Sequence, residues 1–243
     1  MHNGSDKTGE NSSQEIDQDN GREIDEYELY FGESATVEPA ADNPADPGPL
    51  SRRPLFSSAI PFLVFSILFL LCTFPLNNFF FPGSLWASRE AVFTKHEYWR
   101  LVTAIFTHAD TMHLLSNMPL FCFFGLFLYE YFGFMLFPAL SLFVGICANA
   151  VTLYFYPDTL RIIGASGMVY GMVSLWLVLY IYHDTGHTVP VRIFRSAGFA
   201  LMVMFPTTYN PATSYFVHAA GFLIGILSAL MILPFTRVKE RQA

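Results

Sequence analysis

Four polar side chains stand in an otherwise oily sequence at spacings that suit acyl transfer: Ser166 in "GASG" (164–167), His218 in "HAAG" (218–221), and His113 with Asn117 in "HLLSN" (113–117). A serine hydroxyl within reach of an imidazole is deprotonated as it attacks a carbonyl, which gives a covalent acyl intermediate. His113 and Asn117 are four residues apart and share one helical face. From there both can donate hydrogen bonds to an oxyanion, joined by the backbone N–H of Ser166. No acid in the neighbouring sequence is placed to orient His218, so the expectation is a Ser166–His218 dyad and not a triad.

The glycines around these residues have a matching use. Gly164 and Gly167 let the backbone come close at the serine, and Gly167 with Gly171 forms a small-xxx-small face. Gly221 and Gly225 form a second such face below His218. Two faces of this kind press helices together and bring Ser166 toward His218. Tyr170, one helical turn beyond Ser166, is placed to pack against the imidazole and fix its rotamer. Each signal alone is weak. A GxSG stretch also occurs at the strand-to-helix elbow of α/β-hydrolases, for whose sheet this chain leaves no room. Glycine pairs in membrane helices often serve packing only, and a helical serine commonly bonds back to its own carbonyls. The conjunction is what carries weight.

The elements that must position these groups follow from composition. Of 243 residues 53% are hydrophobic and 14% charged, far below the roughly one quarter charged in soluble domains. Six apolar segments are long enough to cross a bilayer, which takes about 20 helical residues: 57–77, 111–130, 133–155, 164–182, 190–207 and 214–235. Their apolar runs are continuous rather than alternating, which excludes a barrel of strands. The expected fold is therefore all-α, a polytopic bundle of six transmembrane helices over 56–236. Arg192 and Arg195 erode the start of the fifth segment. The loop over 78–110 is long, aromatic and polar in turn, and reads as lying in the membrane interface with Trp86, Tyr98 and Trp99 at headgroup level.

Residues 1–55 read as a disordered acidic cytosolic tail. The first 50 residues hold 13 of the 20 acids and only Lys7 and Arg22 as bases, and they include "ADNPADPGPL" (41–50), without the apolar periodicity that offsets ordering entropy. Their one aromatic cluster, "IDEYELYF" (24–31), is a docking candidate. Acidity argues against a mitochondrial transit peptide. Residues 237–243 form a short basic tail. Arg52, Arg53, Arg192, Arg195, Arg237, Lys239 and Arg241 share one side of a six-span topology, which puts both termini in the cytoplasm. The host membrane is then a bacterial inner membrane or a eukaryotic secretory or plasma membrane. Cys72, Cys122 and Cys147 lie in apolar runs with neither disulfide nor metal spacing and read as buried small hydrophobes. No metal or organic cofactor is implied, and oligomeric state is not legible.

With these residues in hand the chain resembles the rhomboid family of intramembrane serine proteases, through "EYWRLVTAIFTHADTMHLLSNM" (97–118), "GASGMVYG" (164–171) and "HAAGFLIG" (218–225). The resemblance implies Ser166 as nucleophile, His218 as base, His113 and Asn117 as the oxyanion pair, and Tyr170 as the aromatic beside the base. It implies a structural role for Trp99 and Arg100, and a further, non-catalytic histidine at His108. Its substrates would be single-span or polytopic membrane proteins cut near the outer membrane surface, with the bilayer as the other partner and no nucleic acid. One departure is visible: the family's acid after the second helix lies four residues beyond a glycine, whereas Glu130 is five beyond Gly125, while Gly133 keeps its place. The chain otherwise resembles the basic six-helix form.

Hydrolysis in a bilayer needs a water-filled cavity, expected at the outer ends of the second, fourth and sixth segments and roofed by "PTTYNPATSY" (206–215). Substrate would come in sideways past the fifth segment, where "FALMVMF" (199–205) suits loose packing, and would unwind to expose its carbonyls. Three alternatives stand beside this. A catalytically silent rhomboid relative that binds transmembrane clients would ordinarily lack the serine or histidine. A transporter would show ionisable groups near the midplane. A hydrolase acting on lipid could use the same dyad.

Overall fold

A computed structural model describes residues 50, 59–75, 85–156, 161–205 and 214–238 of the chain. The expected acidic tail apart from Leu50, its aromatic cluster, most of the roof loop and the basic residues Lys239 and Arg241 lie outside the described residues.

The described architecture is helical with one small ribbon: α1 (Ala59–Pro75), β1 (Ala87–Ser88), α2 (Arg100–Phe106), α3 (Thr111–Phe132), α4 (Ser141–Phe155), β2 (Arg161–Ile162), α5 (Ser166–His183), α6 (Val189–Met204) and α7 (Tyr215–Ile232). Each expected apolar segment contains a helix, as an all-α polytopic fold requires. Among the described residues four helical stretches, rather than the six expected, are long and apolar enough to cross a membrane: Thr111–Phe132, Met135–Phe155, Ser166–His183 and Tyr215–Phe235. As described, α1 has 17 residues and α6 has 16, a reach of about 24–26 Å at 1.5 Å per residue against a hydrocarbon core of about 30 Å. At its start α6 is bounded by Thr188 in extended conformation with Pro190 in its first turn, a proline position that opens helices. The chain is thus a multi-pass integral membrane protein.

Local chemistry sets the boundaries near the site. Asp110 precedes α3 in extended conformation and accepts the backbone N–H of His113 at 2.7 Å, the N-cap use of a short carboxylate. Gly133 ends α3 with φ 87°, a conformation glycine adopts without a Cβ penalty. The third apolar segment then begins with a turn over Met135–Leu140 before α4 proper.

α5 is the centre of the bundle. It packs against α3, α4, α6 and α7, most extensively against α7, and Met168, Val169, Met172, Val173, Leu175 and Leu179 along it are almost fully buried. A helix apolar on all sides belongs in such a place. Phe69, Phe121, Phe124 and Phe137 fill the space between α1, α3 and the Met135–Leu140 turn, with the rings of Phe69 and Phe121 stacked 4.7 Å apart. The cysteine expectation is corrected as well: Cys72 and Cys122 are exposed and Cys147 half-buried. On a membrane helix lipid satisfies a small apolar side chain as well as protein does.

Candidate active site

The backbone that carries Ser166 is shaped before the helix begins. Gly164 has φ +102°, and a Cβ there would come within 2.8 Å of both Cε1 and Nε2 of His113. Only glycine meets both conditions, so the imidazole of His113 lies directly against the serine loop. The N–H of Gly164 donates to the Ala104 carbonyl at 2.8 Å. Ser166 is then the first residue of α5, 7% exposed, and its own N–H precedes the intrahelical ladder, as the first N–H groups of any helix do.

His218 lies in the first turn of α7. Its ring is stacked on Tyr170 with centroids 4.1 Å apart and planes 8° apart, and Tyr215 approaches it edge-on at 6.1 Å. Tyr170 is one turn beyond Ser166 on α5, so the imidazole rests on the helix face that carries the serine. The Tyr170 hydroxyl in turn donates to the Val203 carbonyl of α6 at 3.2 Å. Among the described residues no hydrogen bond joins Ser166 to His218; backbone packing holds their helices together. A Cβ on Gly221 would overlap the carbonyl oxygen of Gly167, and one on Gly225 would overlap the Ser174 hydroxyl and come within 2.5 Å of the Gly171 carbonyl oxygen. Gly171 itself faces Val144 of α4. The two small-residue faces read from sequence therefore meet each other.

His113 and Asn117 occupy α3 as expected, but Asn117 is turned onto its own helix: its amide nitrogen donates to the His113 carbonyl at 3.0 Å, and the Ser116 hydroxyl donates to the same oxygen at 2.8 Å. Asn117 is buried and His113 half-buried. The second N–H of the Asn117 amide is what remains for a ligand. Behind the serine loop sits His108, 2% exposed, whose Nε2 accepts the Ala165 N–H at 3.4 Å and whose ring meets that of His113 at 5.1 Å. Burial first, and the neighbouring His113 second, push the His108 pKa down to about 4, against a hydrogen bond with the Phe106 backbone.

The first loop braces this assembly. β1 pairs antiparallel with β2, Ala87 opposite Ile162 and Ser88 opposite Arg161, so the strand leading to the serine is an extension of the loop. Arg100 donates to the Glu97 carboxylate at 2.6 Å and to the Trp86 carbonyl at 3.3 Å, with its guanidinium 4.5 Å from the Trp99 ring centre. Arg161 lies 4.2 Å over the ring of Trp86. Two links escaped the sequence reading: the Asn149 amide on α4 donates to the Leu101 carbonyl at 3.0 Å, and the Thr103 hydroxyl donates to the Leu85 carbonyl at 3.1 Å. Asn149 carried a signal, since an amide inside an apolar span needs a partner. Thr103 carried none.

Between α6 and α7 an apolar cavity of about 500 Å³ ends at His218, lined chiefly by Leu201, Met204, Phe205, Phe222 and Leu223. Among the described residues of α6 only Ser196 is buried, so this helix packs loosely on its neighbours.

The rhomboid domain family matches residues 95–235. RHOMBOID-like protein 7 of Arabidopsis thaliana is 29% identical over 143 residues, 57% of this chain and 44% of that protein. RHOMBOID-like protein 1 of the same plant is 28% identical over 139 residues, 57% of this chain and 36% of that one. The putative rhomboid protease YdcA of Bacillus subtilis (strain 168) is 28% identical over 134 residues, 54% and 67% of the two chains. The matched part of the chain spans less than half the length of these plant relatives. A match across more than half of the sequence, from the first-loop brace to the end of the last helix, makes this chain a member of the rhomboid family.

Proposed function

We propose that the chain is an intramembrane serine endopeptidase that hydrolyses peptide bonds in or near transmembrane segments of other membrane proteins. The observation that carries the reading is the placement of His218 flat on Tyr170, one turn from Ser166, on helices whose backbones touch at Gly167 and Gly221.

In this mechanism the Ser166 hydroxyl oxygen forms a bond to the scissile carbonyl carbon while His218 takes its proton. The oxyanion is held by the Ser166 N–H, the His113 ring and the free N–H of Asn117, donors that are already in place before charge develops. The intermediate collapses as His218 passes the proton to the leaving nitrogen, which frees the first product and leaves an acyl group on Ser166. Water then attacks that ester with His218 again as base, and the second product leaves with a new carboxyl group. Stacking on Tyr170 does the orienting that an acid does in a triad.

Substrate reaches the site through the apolar cavity between α6 and α7, with α6 as the movable side. A cleft with so little polar lining accepts a transmembrane segment and leaves its unwound carbonyls one available polar target, the site itself. The distribution of basic residues supports a topology with both termini in the cytoplasm, and the acidic composition of residues 1–50 favours a bacterial inner or eukaryotic secretory or plasma membrane over a mitochondrial one.

The test is reconstitution of the protein and of Ser166→Ala in liposomes with a single-span substrate carrying a small residue near its outer membrane boundary, products identified by mass. Cleavage by wild type alone supports the reading. Equal cleavage by both overturns the assignment of Ser166. Binding of several substrates by both without cleavage, together with no labelling of Ser166 by a fluorophosphonate, replaces it with a client-binding role.

A further inference from the structure

Two consecutive backbone N–H groups just ahead of Ser166 are pinned by the first loop and its extension. Gly164 N–H donates to the Ala104 carbonyl at 2.8 Å, and Ala165 N–H donates to His108 Nε2 at 3.4 Å. Each bond sets the peptide plane that carries its N–H, and with Ala165 at φ −79° and ψ −2° the direction of the next N–H, that of Ser166, follows from them. The Ala104 acceptor is a carbonyl and cannot change. The His108 acceptor is a ring nitrogen, and it accepts only while the imidazole is neutral with its proton on Nδ1.

We propose that His108 is a positioning residue for peptide hydrolysis: its neutral imidazole, accepting the Ala165 N–H on Nε2, aims the Ser166 N–H at the oxyanion and sets the serine hydroxyl toward His218. The inference rests on the protease reading above and adds to it a residue that touches neither substrate nor nucleophile. Protonation of His108 sets a donor against a donor at Ala165 and turns the peptide. The surroundings keep the ring neutral. From α3 it faces His113, with Asp110 beyond bonded to the His113 N–H; from α2 it meets the backbone of Phe106; and the one charge on α2, Arg100, is at the far end of that helix against Glu97. α5 presents no charged side chain in its first turns. Burial, and then His113, hold the pKa at about 4.

The experiment compares His108→Leu, which keeps bulk and removes the acceptor, with His108→Gln, whose Oε1 stands where Nε2 stood and does not titrate. Both are reconstituted and assayed for kcat and KM, for the rate of fluorophosphonate labelling of Ser166, and for thermal unfolding, from pH 5 to pH 8. The expected result is a kcat about thirtyfold lower in the leucine variant, as befits one buried donor left unsatisfied near the reacting atoms. KM stays within about twofold, and the glutamine variant restores kcat to within about fivefold of wild type. In wild type, ¹⁵N NMR of labelled histidine shows Nε2 unprotonated across this range. A leucine variant within twofold of wild type in kcat overturns the proposal, and so does a glutamine variant that folds yet loses as much as leucine. Should the leucine variant fail to fold, the glutamine variant and the NMR tautomer decide the matter. If wild-type protein neither cleaves nor labels, the protease reading fails and this role goes with it, an outcome distinct from loss in the variants alone.

Discussion

The imidazole of His218 and the phenol of Tyr170 lie face to face, 4.1 Å between centroids and 8° between planes, across the junction of α5 and α7. The same phenol donates to the Val203 carbonyl at 3.2 Å. One side chain therefore orients His218 and ties down α6. Tyr170→Ala is expected to lower kcat by about tenfold to a hundredfold, the range of a lost positioning contact in catalysis. Tyr170→Phe keeps the stacking, so its kcat should stay within about threefold while its KM falls as α6 is released. Steady-state cleavage in liposomes separates the two effects.

The glycine contacts make a graded series. A Cβ at Gly221 overlaps the Gly167 carbonyl oxygen, whereas one at Gly198 on α6 meets nothing within 4 Å. Gly221→Ala should destabilise the protein by about 3 kcal/mol or more, as overpacking of a fixed backbone contact does, and abolish cleavage. Gly198→Ala should keep cleavage and gain up to about 1 kcal/mol from helix propensity. Thermal unfolding in detergent reads both.

Loss of the brace should be felt at the serine. Asn149→Ala leaves the buried Leu101 carbonyl without its donor, a cost of about 1–3 kcal/mol. Arg100→Lys keeps a charge but not the planar fork that reaches Glu97, Trp86 and the Trp99 face together. Both variants should unfold at lower temperature and label more slowly with fluorophosphonate, although neither residue touches Ser166.

His108 predicts a pH dependence of stability. Its pKa in the folded protein, about 4, lies below the ordinary 6.5, so between those values the unfolded chain binds a proton that the folded one does not. Stability then rises with pH through this window and is lost as pH falls from about 6.5 toward 4, by on the order of 3 kcal/mol in all. The unfolding temperature of wild type should drop more between pH 7 and pH 4.5 than that of His108→Gln; equal drops would remove His108 as the cause.

The site was legible in sequence to the extent that helices made it so. The four-residue spacing of Ser166 and Tyr170, and of the glycine pairs, maps onto one face by helical geometry alone, and the structure places Tyr170 on His218 and the glycine faces on each other. The β1–β2 ribbon was invisible, because two residues per strand, Ala-Ser and Arg-Ile, offer no alternation to read. Asn117 shows a further limit: the sequence puts it on the right face but says nothing of which acceptor its amide takes, here the His113 carbonyl.

The ribbon has a consequence for biogenesis. Ser88 is opposite Arg161, and the base stands at 218, so the parts of the site are assembled from across most of the membrane domain. Such long-range pairing forms only after the intervening chain is in place. A half-inserted chain that stops short of α7 holds Ser166 with the ribbon before it already in place but without His218. Under the proposed mechanism such a chain is unarmed toward neighbouring helices, and insertion of α7 is the step that completes the site.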